Sequence, residues 1–283
     1  MKFYHSRRFP KIVIDGHLTD TLKISEDFKY TTHGDTLRLY SVRVKWHHDP
    51  SPYRHVLTIY SEFDDVNGYQ VDLCDFYRET DLNTRNDIYV FDIKGNQLEH
   101  YIYNGLWIKT PLQKGENLVF IYYGSGTENI GNPNNVFELH EHNIGMNTYM
   151  SQKTFRCNIQ LTVKANVQQD ESMFIGLTDS NNSTSIGYQY DASVGFVAFV
   201  KYMNTYVRSE SLSLNIEQQY EFTIQLTESQ AKFYVNGNHV FTHYVNVESD
   251  LHVKCNAVNV DYLYVSKYRE PEPTVVNALR QTK

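Results

Sequence analysis

The stretch Ala231-Lys-Phe-Tyr-Val-Asn-Gly-Asn-His-Val-Phe-Thr-His243 decides the fold class of this chain. Asn236-Gly237 sits between two runs of strand-forming residues. Both central positions of a tight hairpin turn need positive φ, which Gly and Asn adopt at least cost. Ala231, Phe233 and Val235 alternate with Lys232 and Tyr234, so the first run has one apolar face and one wetter face. A lone hairpin is not stable in water. The turn therefore calls for a partner sheet, and the residues after Thr154 read as that sheet.

Working outward, Phe155, Cys157, Ile159, Leu161 and Val163 alternate with Arg156, Asn158, Gln160, Thr162 and Lys164. Tyr220, Phe222, Ile224 and Leu226 alternate with Glu221, Thr223 and Gln225 in the same way. Each pattern predicts one half-buried strand whose register is set by its apolar face. Between them lie short runs at Met173–Leu177, Ser185–Tyr190, Gly195–Tyr202 and Tyr206–Ser209, and a last run covers His252–Tyr268. Upstream, His55–Tyr60, Gly68–Leu73, Asp87–Ile93, Gln97–Tyr103, Leu106–Thr110 and Asn117–Tyr123 form a second set of short strands bounded by turn residues. Two more precede them, Lys11–Asp15 and Thr36–Trp46, the latter with a break in alternation near Ser41 that marks a bulge. Evenly spaced short strands without helical periodicity predict an all-β chain: two antiparallel β-sandwich domains in tandem. Residues 124–150 change character, opening with a Gly- and Asn-rich run, and mark the boundary. The expected division is a 1–50 N-terminal β segment, a 51–126 β-sandwich domain, a 127–150 linker, a 151–268 sandwich and a 269–283 tail. Pro271 and Pro273 place that tail outside the second sandwich.

The 283 residues are 41% apolar, enough for a real core, and include 23 Tyr, 15 Phe and 2 Trp. The formal net charge is -7 without a cluster of Lys and Arg, which argues against a nucleic-acid groove. The three cysteines, Cys74, Cys157 and Cys255, are expected to be reduced and buried, although Cys157 and Cys255 fall in strands that are candidates for neighbours. Arg7-Arg8 is not followed by the apolar core of a secretory signal, and no run reaches the length of a membrane span.

For chemistry, the chain offers few motifs. No strand carries paired carboxylates at alternating positions. Glu217 and Glu221 are four apart, with Glu217 read as a turn residue. No Gly-x-Ser-x-Gly elbow or phosphate loop is present. His47-His48 are adjacent and point to opposite faces if extended. His140 and His142 would share one face, a weak metal pair lacking an evident third ligand. Asp179 and Asn181 lie in an Asp-Ser-Asn-Asn stretch that has oxygens for calcium, the one cofactor considered, but reads first as a turn. The candidate glycan-binding residues are Tyr188, Tyr190, Asp191, Tyr202, Asn204 and Tyr206, since flat rings near turns stack on sugar faces. The competing assignment for these rings is the core.

Four segments carry a resemblance. They are Phe174-Ile-Gly-Leu-Thr-Asp, Ile186-Gly-Tyr-Gln-Tyr-Asp-Ala-Ser, Ala231-Lys-Phe-Tyr-Val-Asn-Gly, and the closing Val260-Asp-Tyr-Leu-Tyr-Val-Ser-Lys-Tyr-Arg-Glu-Pro-Glu-Pro-Thr-Val. In that order they resemble a concanavalin A-like (laminin G-like) jelly-roll domain. Pro52-Tyr53-Arg54, Asp87-Ile-Tyr-Val-Phe-Asp-Ile-Lys-Gly-Asn and Val119-Phe-Ile-Tyr-Tyr-Gly resemble the uncharacterised β domain that precedes it in archaeal, bacterial and phage proteins. The match spans roughly residues 51–275; relatives are usually larger and secreted. The resemblance implies two jelly-roll domains. With no signal and no catalytic acids, it implies a non-enzymatic virion structural protein, a tail, fibre or capsid-surface component made in the host cytoplasm. Its expected partners are other virion proteins, copies of itself in a homo-oligomer, and host-surface glycan, with no nucleic acid and no membrane insertion. The alternatives are a carbohydrate-binding adhesin or a glycan-degrading enzyme of the same fold.

Overall fold

The computed structural model describes residues 46–103, 105–203 and 205–282 in full, and the backbone of six strands within residues 1–45. Those six pair antiparallel: β1 (Lys2–Phe3) with β4 (Leu22–Lys23), β2 (Ile12–Ile14) with β3 (His17–Thr19), and β5 (Phe28–His33) with β6 (Thr36–Ser41). Of the strand expected over Thr36–Trp46, the described part is Thr36–Ser41. Val42 and Val44, on which the expected bulge rests, lie outside the described residues.

Two units follow. The first comprises residues 1–131 together with 273–283, the second residues 132–272. In the first, β7 (Tyr53–Ser61), β8 (Asp65–Asp72), β9 (Tyr89–Asp92), β10 (Gln97–Ile102), β11 (Leu106–Leu112), β12 (Gly115–Tyr123) and β25 (Thr274–Thr282) form one sheet in the order β25-β7-β12-β9-β10-β11-β8. The start of β10 pairs with β9 and its remainder with β11. The sheet folds over at this strand into two leaves around one core. Leu57, Ile59, Val119, Ile121 and Tyr123 meet Tyr69, Val71, Leu106 and Ile108 there. On the other side of β7 and β12, Arg54 is buried, its guanidinium 4.6 Å from the Trp46 ring and donating to the Tyr122 hydroxyl at 3.0 Å. The short helix α1 (Cys74–Glu79) follows β8.

The tail therefore is a strand, not a loose end. It leaves the second unit as expected but pairs with β7 over nearly its whole length, Thr274 opposite Tyr60 and Thr282 opposite Tyr53. Two nearby prolines disguised it, because they precede the strand and remove no ladder donor from it.

The second unit is a jelly-roll sandwich of two six-stranded antiparallel sheets. Its strands are β13 (Leu139–Ile144), β14 (Tyr149–Phe155), β15 (Ile159–Asn166), β16 (Phe174–Thr178), β17 (Thr184–Asp191), β18 (Gly195–Tyr202), β19 (Thr205–Arg208), β20 (Gln219–Leu226), β21 (Gln230–Val235), β22 (Asn238–Tyr244), β23 (Leu251–Asn256) and β24 (Asn259–Lys267). One sheet runs β13-β24-β15-β20-β21-β22, the other β14-β23-β16-β17-β18-β19. The hairpin at Asn236-Gly237 forms as expected, with φ of 48° and 75° and Val235 opposite Asn238.

Four expectations change. Residues 127–150 are not a linker throughout: α2 (Pro133–Val136) caps on Asn132, and β13 and β14 are edge strands of the two sheets. Edge position tolerates the polar sequence His140-Glu-His-Asn143 that hid β13. The run Phe155–Lys164 is two strands, because Asn158 at φ 59° turns a corner that puts Phe155 and Ile159 in different sheets. The run His252–Tyr268 breaks likewise at Ala257, φ 52°. Cys157 sits in the first corner and stays partly exposed, as does Cys74, so among three free thiols only Cys255 is buried, and burial pushes it up to about 12.

Candidate functional site

The alternation of β17 and β18 sorts the candidate tyrosines. Ile186, Tyr188, Ala198 and Val200 belong to the core between the sheets, with Tyr190 and Tyr202 packed against it. Tyr188 is 2% exposed, its ring 4.8 Å from Phe222 and its hydroxyl within reach of the Thr223 and Tyr234 carbonyls, at 2.9 and 2.8 Å, on the opposite sheet. It is a core tie, not a sugar platform. Tyr190 packs on Phe196, and its hydroxyl accepts from Gln169. Asp191 accepts from the backbone and hydroxyl of Ser193 and from Arg208, which closes the β17–β18 turn. Tyr206 alone projects from the outer face, being 45% exposed and paired with the outward Lys201. Asn204 lies outside the described residues. The candidate residues therefore divide between two faces of one sheet and do not form one site.

Asp179 is also absorbed by the fold. Its carboxylate accepts from the backbone of Asn181 (3.2 Å), Ser183 (2.8 Å) and Thr184 (3.0 Å) and from the Ser183 hydroxyl. Burial raises its pKa, but these hydrogen bonds outweigh it and the net shift is downward. The oxygens offered to calcium are spent on the β16–β17 turn, and Asn181 contributes its backbone there. His140 and His142 do share a face of β13, their rings 4.1 Å apart. Burial, with His142 alongside, pulls His140 down to about 4, so it is neutral at pH 7. Among the described residues no group of three His, Cys, Asp or Glu could hold a metal.

The residues in the opposite phase of the same strands build a different surface. One row across the outer face of the β14-to-β19 sheet runs Met150, Lys254, Gly176, Gly187, Phe199, Arg208; the next runs Thr154, His252, Thr178, Ser185, Lys201, Tyr206. Gly176 and Gly187 face each other. A Cβ on Gly176 would lie 2.2 Å from the Ile186 carbonyl oxygen, and one on Gly187 2.5 Å from that of Ile175. The close approach of β16 and β17 demands glycine at both positions and makes a floor of backbone in the sheet centre that is itself buried, with the Phe174 ring 3.1 Å from where a Cβ of Gly187 would stand. Around it stand Phe174 and Phe199, edge to face at 5.9 Å, and Tyr206, 5.5 Å from Phe199. Gln189 donates to the Tyr206 hydroxyl at 2.7 Å and holds that ring in place. Lys254 lies with its ammonium 6.0 Å from the Phe174 ring centre. His252 Nδ1 meets the Ser151 carbonyl at 2.8 Å. A carbonyl only accepts, so Nδ1 carries a proton and Nε2 is the nitrogen left for a ligand. Sequence reasoning missed Phe174, Gln189, His252 and Lys254 because it followed the tyrosines. The paired glycines at the same register were the available signal.

The first unit holds one further polar cluster. His55 Nε2 lies 3.0 Å from Asp81 Oδ1, the Tyr123 hydroxyl donates to Asp81 Oδ2 at 2.9 Å, and Arg280 reaches the same oxygen at 3.0 Å. Burial lowers the pKa of His55, so this pair is a neutral imidazole donating to a carboxylate. Burial and Asp81 push Tyr123 up to about 12. Asp81 is shared by three donors from β7, β12 and β25, which makes the cluster a tether for the last strand.

No family model matches this chain, and no curated protein matches it. Among solved structures, the Caenorhabditis elegans galectin LEC-6 is 14% identical and covers 45% of this chain and 95% of its own, with a TM-score of 0.35. The carbohydrate-binding module CBM66 from Bacillus subtilis is 8% identical over 44% of this chain and 81% of its own, at 0.31. A prokaryotic β-1,3-1,4-glucanase (lichenase) derived from a mouse hindgut metagenome is 8% identical over 42% and 71%, at 0.35. Likenesses at this level assign no activity to the chain.

Proposed function

We propose that this protein works by binding: its second unit holds a glycan against the outer face of the β14-to-β19 sheet, as a structural component of a virion. The observation that supports glycan contact is the row of Phe174, Phe199 and Tyr206 rings along the Gly176–Gly187 pair, with Tyr206 exposed at its end. A sugar ring needs a flat surface with rings to stack on and polar groups at its edge. Gln189 and His252, both partly exposed, stand in the adjoining positions. The binding reading over the enzymatic one is supported by the acids: Asp191 is the one carboxylate within these six strands, and it is bonded to Arg208 at 2.5 Å. Retaining hydrolysis needs two carboxyl groups about 5 Å apart. The virion setting rests on the sequence resemblance.

The test is a glycan array with the full chain and with Tyr206→Ala. Tyr206 is exposed, so its loss should leave melting unchanged. Loss of one stacked ring is worth about 1 kcal/mol, a roughly five- to tenfold drop in affinity. Failure of the wild-type chain to retain any glycan would overturn the proposal, as would hydrolysis of one.

A further inference from the structure

Although the chain as a whole is acidic, with 33 Asp and Glu against 26 Lys and Arg, the β14-to-β19 sheet is not. Its six strands contain one acid, Asp191, against Lys153, Lys201, Arg208 and Lys254. Arg208 is neutralised by Asp191, and Lys153 pairs with Glu138 at 2.8 Å. Lys201 and Lys254 have no carboxylate partner among the described residues. Edge protection does not account for them, because β18 and β23 are interior strands of the sheet. Lys254 is opposite Gly176 and Lys201 is opposite Ser185, the neighbour of Gly187 in the next row. Three strand spacings separate β23 from β18, so the two lysines stand on strands about 14 Å apart, on either side of the glycine floor.

We propose that the ligand of this face is an acidic oligosaccharide, one bearing carboxylate or sulfate groups, with Lys201 and Lys254 each meeting an anionic group on either side of the floor. This rests on the glycan-contact reading above and narrows it. The net negative charge of the chain does not oppose such a ligand. Charges spread over the chain are screened beyond about 8 Å at physiological salt, whereas two lysines at contact distance are not. A lysine–anion contact at a partly desolvated site also outweighs one on open surface, and Lys254 is half-buried along Phe174.

The experiment measures binding of the full chain to heparin and polygalacturonate as acidic polymers, to dextran as a neutral one, and to duplex DNA. It uses the wild type, the double variant Lys201→Gln/Lys254→Met, and Tyr206→Ala. Methionine keeps the aliphatic stem on Phe174, and melting is recorded for each variant. The expected result is binding of an acidic polymer that weakens as salt rises, a tenfold or greater loss in the double variant, a loss in Tyr206→Ala, and unchanged melting. Binding of dextran with equal strength, insensitive to the lysines, would overturn this inference and leave the glycan reading standing. Acidic binding unaffected by the double variant would also overturn it. Binding of no polysaccharide would overturn both, and preference for DNA would replace the glycan by nucleic acid.

Discussion

Tyr188 offers the sharpest test of which face of the second unit is core. Its ring is 2% exposed and sits among Phe222 (4.8 Å) and Phe233 (5.5 Å), and its hydroxyl reaches two carbonyls of the other sheet. Tyr188→Phe removes only the hydroxyl. One proton serves one carbonyl at a time, so the loss is one buried hydrogen bond, about 1 kcal/mol. Tyr188→Ala removes the ring from a closed core and should cost about 3–5 kcal/mol. For a unit of this size each kcal/mol moves the midpoint by roughly 3 °C, so the two variants should melt about 3 °C and roughly 10–15 °C low. The two units can be told apart optically. Trp46 and Trp107 both lie in the first unit. Tryptophan fluorescence therefore follows that unit alone, while far-ultraviolet circular dichroism follows both. The Tyr188 variants should move the dichroism transition and leave the fluorescence transition in place. Tyr188→Ala with less than about 1 kcal/mol of loss, together with lost glycan binding, would refute the core assignment and restore this ring to the surface.

Two further outcomes follow from polar groups that the fold has absorbed. Asp179 has a depressed pKa in the folded state because four hydrogen bonds favour its charged form over the cost of burial. Its contribution is present above the ordinary carboxylate value of 3.8 and is lost as pH falls through the lower folded value. Asp179→Asn should thus cost about 1–3 kcal/mol at neutral pH, with the gap to wild type closing in acid denaturation scans; a gap independent of pH would refute the assignment. In the first unit, deleting residues 273–283 removes β25 and the Arg280 contact to Asp81. The fluorescence transition should fall by several degrees while the second unit keeps its own midpoint, and an unmoved fluorescence transition would show that β25 adds nothing to that sheet.

Much of this architecture was legible locally. Asn236-Gly237 specifies its own turn because positive φ at two adjacent positions is a property of those residues alone. Alternation in Tyr220–Leu226 likewise specifies a strand with two unlike faces. Alternation does not say where a strand ends when a corner preserves the phase. Phe155 and Ile159 keep the same parity on either side of Asn158 yet enter different sheets. Nor does it say which face an aromatic-rich strand buries. In β17 and β18, Tyr188 and Phe196 lie in one phase and Phe199 in the other, and only the opposite sheet's Phe222 and Phe233 decide that the Tyr188 side is the interior. That choice moved the candidate site from the tyrosines to the glycine floor between Phe174 and Tyr206. The return of Thr274–Thr282 to β7, more than 200 positions earlier in the chain, was equally beyond local pattern. Turn chemistry and strand parity depend on a residue and its immediate neighbours. Sheet membership, facing and the closing of an edge depend on hydrogen-bond partners and apolar contacts brought together from distant parts of the chain.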